Sequence, residues 1–134
     1  MALSKQKPGP IKMPLTYDVV DDILVIQTGG KWGFPALKKT LHTAVKSLGR
    51  RCLNGVLLDD RNAKFTGFRD NFAEMARFHQ RLSDRIGKKM AVLVSDDLQY
   101  GMARMSSAIH SLHGIDVEPF RDKEKAWAWL AGRR

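Results

Sequence analysis

The chain has 134 residues, 43% of them hydrophobic, a net charge of +9 at pH 7 and a single cysteine, Cys52. That length and apolar content suffice for one compact domain with its own core. The lone cysteine excludes an intrachain disulfide, and no apolar run approaches the roughly 20 residues of a membrane-spanning helix. Lys5, Lys7, Lys12, Arg133 and Arg134, at the two ends, supply more than half of the net charge. Mobile basic ends and solubility account for that distribution better than a nucleic-acid surface does.

Residues 1–14, MALSKQKPGPIKMP, read as a flexible basic leader: lysines among Pro and Gly, with no apolar stretch to make a secretory signal. Met13 offers an alternative start. The rest, 15–132, reads as one domain, expected in a reducing cytoplasm. LTYDVVDDILVIQT is two apolar runs joined by Asp21-Asp22, a hairpin of strands near 15–20 and 23–28. Phe34, Leu37, Leu41, Ala44, Val45 and Leu48 then recur at helical spacing, with Pro35 in the first turn and Gly49 as the stop. GVLLDD, 55–60, lacks alternation and suits a strand buried on both faces. A helix over 68–86 follows, with Phe68, Phe72, Met75, Leu82 and Ile86 in one stripe, His79 in the same row, and Gly87 at its end. MAVLVS, 90–95, is a second buried strand. The next helix is predicted with Leu98, Met102, Met105, Ile109 and Leu112 inward and Gly114 as its C-cap. DVEPF reads as an edge strand because Pro119 has no N–H to donate. The last helix has Asp122 as N-cap. The order β-β-α-β-α-β-α-β-α predicts an α/β fold: a mixed, mostly parallel sheet of about five strands with four flanking helices.

YDVVDDILVIQTGG, GVLLDD before a Gly-initiated helix, and VEPFRDKEKAWAWL, in that order, resemble the STAS domain of anti-sigma-factor antagonists. They look most like its small stand-alone bacterial relatives, a STAS and CRAL-TRIO-like superfamily. The resemblance covers roughly residues 15 to 132. It implies a non-enzymatic regulatory domain that binds another protein, or itself as a homodimer. In the regulatory family a Ser of an Asp-Ser-Ser-Gly motif at the helix start is phosphorylated. Here the loop reads DRNAKFTGF; Thr66-Gly67 matches the final Ser-Gly, and Phe65 stands where the acceptor serine would be. Thr66 is therefore expected to be a helix N-cap rather than a switch.

The expected partner surface is the loop 59–67 with the start of the following helix. It comprises Arg61, Lys64, Phe65, Thr66, Gly67, Arg69 and Arg77, the basic members facing an acidic partner. A second reading, favoured by the CRAL-TRIO likeness, is a carrier of an apolar or lipid-like ligand lined by Phe68, Phe72, Met75, Met102, Met105, Trp127 and Trp129. Trp127 and Trp129 lie about 200° apart on a helix, so one of them should be partly exposed. A third reading takes Asp59-Asp60 and Asp96-Asp97, at the ends of parallel strands, as a Mg²⁺-dependent phosphotransfer site. Capping by Asp96 or Asp97 and strand-end placement of Asp59 and Asp60 account for these residues without a metal. His79 is expected to be packed and hydrogen-bonded. His110 and His113 are i,i+3 neighbours near a helix C-terminus, where imidazolium interacts favourably with the dipole; two histidines without further placed ligands are a weak zinc signal. Cys52 has no base or partner cysteine. No catalytic residue, metal, cofactor or specific nucleic acid is expected.

Overall fold

The computed structural model describes residues 15–64 and 71–132. Strands β1 (Leu15–Val20) and β2 (Ile23–Thr28) form an antiparallel hairpin. Its two-residue loop holds Asp21 at φ 49° and Asp22 at φ 64°. Both central residues of such a turn need positive φ, and Asp tolerates that region better than most residues. Helix α1 (Phe34–Leu48) has Pro35 in its first turn and ends at Gly49. Strand β3 (Gly55–Asp59) is buried throughout, as its unbroken apolar run predicts. Then follow α2 (Phe72–Ile86), β4 (Lys89–Leu93), α3 (Asp97–Ser111), β5 (Asp116–Phe120) and α4 (Lys123–Leu130).

The sheet order is β1-β2-β3-β4-β5, with only the β1–β2 pair antiparallel among the described strands. The chain advances one strand at a time in one direction. Right-handed crossovers that never reverse direction lay their helices on one face. Accordingly Leu37 and Leu41 of α1, Phe72 and Phe78 of α2, and Met102 of α3 pack with Leu24, Ile26, Val56, Leu58 and Met90. The alternate strand residues Ile23, Leu57, Ala91 and Leu93 meet only α4, through Ala126 and Leu130. The result is three layers, three helices on one side and one on the other. Pro119 sits in the edge strand β5, and Asp122 caps α4 by accepting from the Glu124 N–H.

Three expectations need correction. Leu98, Met105 and Leu112 do not face inward: they are 61%, 45% and 81% exposed. The buried row of α3 is Gln99, Met102, Ala103, Ser106 and His110. It is rotated by one residue, about 100°, from the apolar stripe. Its polar members are hydrogen-bonded, so burying them carries no unpaired group. Second, α2 begins at Phe72 with Asn71 at the cap position, four residues later than predicted. Third, α3 ends with Leu112 as its C-cap, and Gly114 follows two residues later in the turn toward β5.

Candidate functional site

The C-terminal edge of the parallel strands gathers the candidate residues. Asp59 is the last residue of β3 and Asp60 follows it directly; their side chains leave on opposite faces of the sheet. Asp59 accepts from Arg61 Nε at 3.0 Å, Arg61 Nη2 at 2.9 Å and the Arg61 backbone N–H at 3.2 Å. Burial pushes its pKa up, but the Arg61 hydrogen bonds outweigh this and leave it lowered. Asp60, 4% exposed, accepts from Thr28 Oγ1 at 2.9 Å, and burial raises its pKa to about 7 against the opposing Thr28 bond. Thr28 Oγ1 also lies 3.2 Å from the Asp59 carbonyl, so one hydroxyl at the end of β2 braces both aspartates.

The loop that leaves β3 is fastened on two sides. Toward β2, the Gly30 N–H donates to Asn62 O at 3.0 Å and the Lys64 N–H to Gly30 O at 2.8 Å. Toward α3, the Gln99 amide donates to Ala63 O at 3.1 Å and to Arg61 O at 3.4 Å, while its oxygen accepts from the Ser95 N–H at 2.7 Å. Residues 59–64 are thereby fixed, with Arg61 and Lys64 exposed. Arg77 is exposed on α2. Phe65, Thr66, Gly67, Phe68 and Arg69 lie outside the described residues. The cap position of α2 belongs to Asn71; the N-cap expectation for Thr66 falls outside the described residues. Gln99 is the residue that sequence reasoning missed. Its signal was the capping-box spacing from Asp96, an Asp followed three positions later by Gln.

The four carboxylates do not converge. Asp59 is held by Arg61, and Asp60 is buried on the other face. Asp96 caps α3 by accepting from the Gln99 N–H at 2.8 Å. Asp97 pairs with Arg121 at 2.8 Å. No group of three His, Cys, Asp or Glu side chains suited to a metal occurs among the described residues. The apolar set divides as well. Phe72, Met75 and Met102 line a cavity of about 40 Å³ together with Trp32 and Asp60. Met105 is exposed, and Trp127 and Trp129 lie half-buried on α4, across the sheet. Trp129 packs against Phe120, with centroids 5.6 Å apart, and carries Lys89 Nζ 5.0 Å over its ring. α4 follows the last strand and covers the face that the crossover helices leave open, so its tryptophans cannot reach the α2–α3 cavity.

His79 is packed and bonded as expected: Nε2 lies 2.9 Å from Gly87 O, and burial takes its pKa down to about 4. His110 is also buried, its Nδ1 2.9 Å from Ser106 O, and burial lowers its pKa. It is a core residue, and burial opposes the charged form that the helix dipole would favour. Cys52 is exposed.

No protein-family model and no curated protein sequence matches the chain. Solved structures do match. One is an uncharacterized protein of the DUF3478 family with a SpoIIAA-like fold, from Shewanella loihica PV-4. It superposes with a TM-score of 0.59 at 15% identity, covering 87% of this chain and 91% of that one. Another is an anti-sigma factor antagonist from Mycobacterium paratuberculosis, with a TM-score of 0.59 at 14% identity over 92% of this chain and 97% of that one. The fold is STAS-like. At this identity the likeness concerns the fold alone. The loop after β3 opens with the Asp59–Arg61 clamp. No described helix is long and apolar enough to cross a membrane.

Proposed function

We propose that the chain is a non-enzymatic regulatory module of the cytoplasm that works by binding another protein through the loop after β3. The observation that carries this reading is the fixation of residues 59–64 on both sides, by Gly30 and by Gln99, with Arg61 and Lys64 left exposed on a rigid platform. A preordered loop loses little entropy on docking. Exposed cations beside it, with Arg77 on α2, suit an acidic partner surface. The mycobacterial structure of the same fold is described as an anti-sigma factor antagonist, which supports a protein rather than a substrate as the partner. Thr66 is read as a non-switching residue of this surface, since the acceptor position of the phosphorylated motif is Phe65.

Affinity capture from the native cell tests the reading. A protein held by the wild type should be lost from Lys64→Glu and Arg77→Glu, whose melting temperatures should match the wild type because neither side chain is buried. Thr66→Asp should retain it. Capture indifferent to both charge reversals would contradict the assigned surface, and loss with Thr66→Asp but not Thr66→Ala would restore the switch.

A further inference from the structure

The cavity between α2, α3 and the inward residues of β3 and β4 is partly open and measures about 40 Å³. Its walls are mostly apolar, and Met75, Met90 and Met102 are among them. Methionine side chains are unbranched and adjust to what they enclose. A water needs about 10–15 Å³ of such space. The cavity therefore has room for a few waters, or for one polar end of an organic molecule.

Four polar side chains line it, and two are already committed. Gln99 holds the loop after β3, and Ser106 Oγ lies 3.1 Å from His110 Nδ1. The third, Trp32, is not committed: its indole Nε1–H is buried and has no hydrogen-bond partner among the described residues. A buried donor without an acceptor is destabilising, and an acceptor brought by a ligand removes that cost. The fourth is Asp60. Its Oδ1 lies 2.9 Å from Thr28 Oγ1, and its carboxyl offers the cavity no positive charge. No Lys, Arg or His is among the described lining residues. An anionic ligand would find no counter-charge there and would meet the Asp60 carboxyl.

We propose that this cavity is a binding site for a compact apolar molecule carrying one neutral hydrogen-bond acceptor, such as a ketone or amide carbonyl, and that the Trp32 indole N–H is the donor that recognises it. The proposal does not rest on the partner surface above, although Asp60 and Gln99 border both. It also differs from a carrier groove built on all the aromatic residues, because Trp127 and Trp129 lie across the sheet. That separation supplies an internal control.

Cyclopentanone titrated into the full chain, followed through the tryptophan indole N–H signals in nitrogen–proton correlation spectra, tests the proposal. The signal missing in Trp32→Phe should move saturably while those of Trp127 and Trp129 stay in place. Cyclopentane, the same ring without the acceptor, should bind up to about tenfold more weakly, the worth of one neutral hydrogen bond. Cyclopentanecarboxylate should also bind more weakly than the ketone, and Trp32→Phe should bind the ketone no better than the hydrocarbon. Equal affinity for ketone and hydrocarbon would overturn the proposal. So would an absence of saturable shift, or a shift confined to the α4 tryptophans. Should Trp32→Phe fail to fold, nuclear Overhauser contacts between the ketone ring and Trp32 in the unaltered protein decide the question. Their presence supports the site and their absence overturns it.

Discussion

The two edges of the sheet are held together by different means. At the N-terminal edge of the parallel strands the joints are backbone to backbone, or side chain to a backbone carbonyl where His79 meets Gly87 and Arg85 reaches Gly49 and Arg51. Asn54 N–H donates to Asp22 O at 2.7 Å, Leu53 N–H to Arg85 O at 2.7 Å and Asp116 N–H to Lys88 O at 2.8 Å. Gly87 meanwhile lies against the Asn54 peptide. At the C-terminal edge, backbone bonds such as Gly30 to Asn62 and Lys64 to Gly30 are joined by bonds between side chains, Thr28 to Asp60 and Asp59 to Arg61, and by Gln99 reaching Ser95, Arg61 and Ala63. Backbone joints depend little on residue identity, apart from a glycine where space runs out. Side-chain joints depend on particular residues, and they fix loops whose exposed groups can then be used. The comparison teaches that the N-terminal edge is scaffold and that the C-terminal edge carries this chain's individuality, which accords with ligand sites in open α/β sheets lying at strand C-termini.

Gly87→Ala should break the scaffold edge with the largest effect of any single change considered. A Cβ there would lie 2.5 Å from Asn54 O, and φ is +84° with ψ 171°, a region that is essentially glycine-only. A loss of about 4 kcal/mol or more is expected, measured by denaturant unfolding. A variant with near wild-type stability would mean that the β3–α2 approach yields easily.

Asp60 at one edge and His79 at the other, with His110 beside it lowered in the same direction, have opposing pH trends. Asp60 has a pKa raised to about 7 from 3.8. Its contribution is present below the unfolded value and is lost as pH rises through about 7. His79, bonded to Gly87 O, has a pKa lowered to about 4 from 6.5. Its contribution is present above 6.5 and is lost as pH falls through about 4. In the wild type the two slopes partly cancel between about pH 4 and 6.5. Asp60→Asn should remove one of them, so that stability rises with pH across that window by up to roughly 3 kcal/mol. A flat profile for the variant would show that one of the two groups is not held as described.

Gln99→Ala should cost about 1–3 kcal/mol, because it strips partners from Ser95 N–H and Ala63 O. More tellingly, amide exchange should quicken at residues 61–64 and not at 53–55. Uniform quickening at both edges would mean that the clamp is not local.

The exposed ion pairs sharpen the comparison from the other side. Arg51–Asp22, at 2.7 Å, sits at the scaffold edge, and Arg121–Asp97, at 2.8 Å, at the other. Asp22→Asn and Asp97→Asn should each change stability by less than about 1 kcal/mol. A larger loss at either edge would assign surface charge a part in fastening it.

The hairpin, the unbroken strand 55–59 and the punctuation of α1 by Pro35 and Gly49 were legible because each rests on local chemistry: turn residues, apolar runs and backbone restriction. The inward face of α3 was not. Gln99, Ser106 and His110 carry the polarity of surface residues, and their burial becomes intelligible only once Ala63, Ser95 and the helix carbonyls are in place to bond them. Leu98, Met105 and Leu112 misled for the converse reason, since an apolar row is a core signal only if something packs on it. The split between Phe72, Met75 and Met102 on one side and Trp127 and Trp129 on the other is a property of topology. The face on which α4 lands follows from the direction of all the crossovers, and no local window contains that information. Of the candidate partner surface, the exposure of Arg61, Lys64 and Arg77 agreed with their charge. The bidentate grip of Arg61 on Asp59 required knowing that a two-residue separation at the end of β3 bends back on itself.

The central claim, that the C-terminal edge is the working edge, is tested most directly by affinity measured against whatever protein the wild type captures. Lys64→Glu and Lys88→Glu make the same charge change at exposed positions on opposite edges. Dissociation constants for both variants should be measured at low and at physiological ionic strength, with melting temperatures alongside. The account predicts that Lys64→Glu weakens binding about tenfold or more while Lys88→Glu leaves it near wild type. Equal weakening by both, or weakening by Lys88→Glu alone, would contradict it.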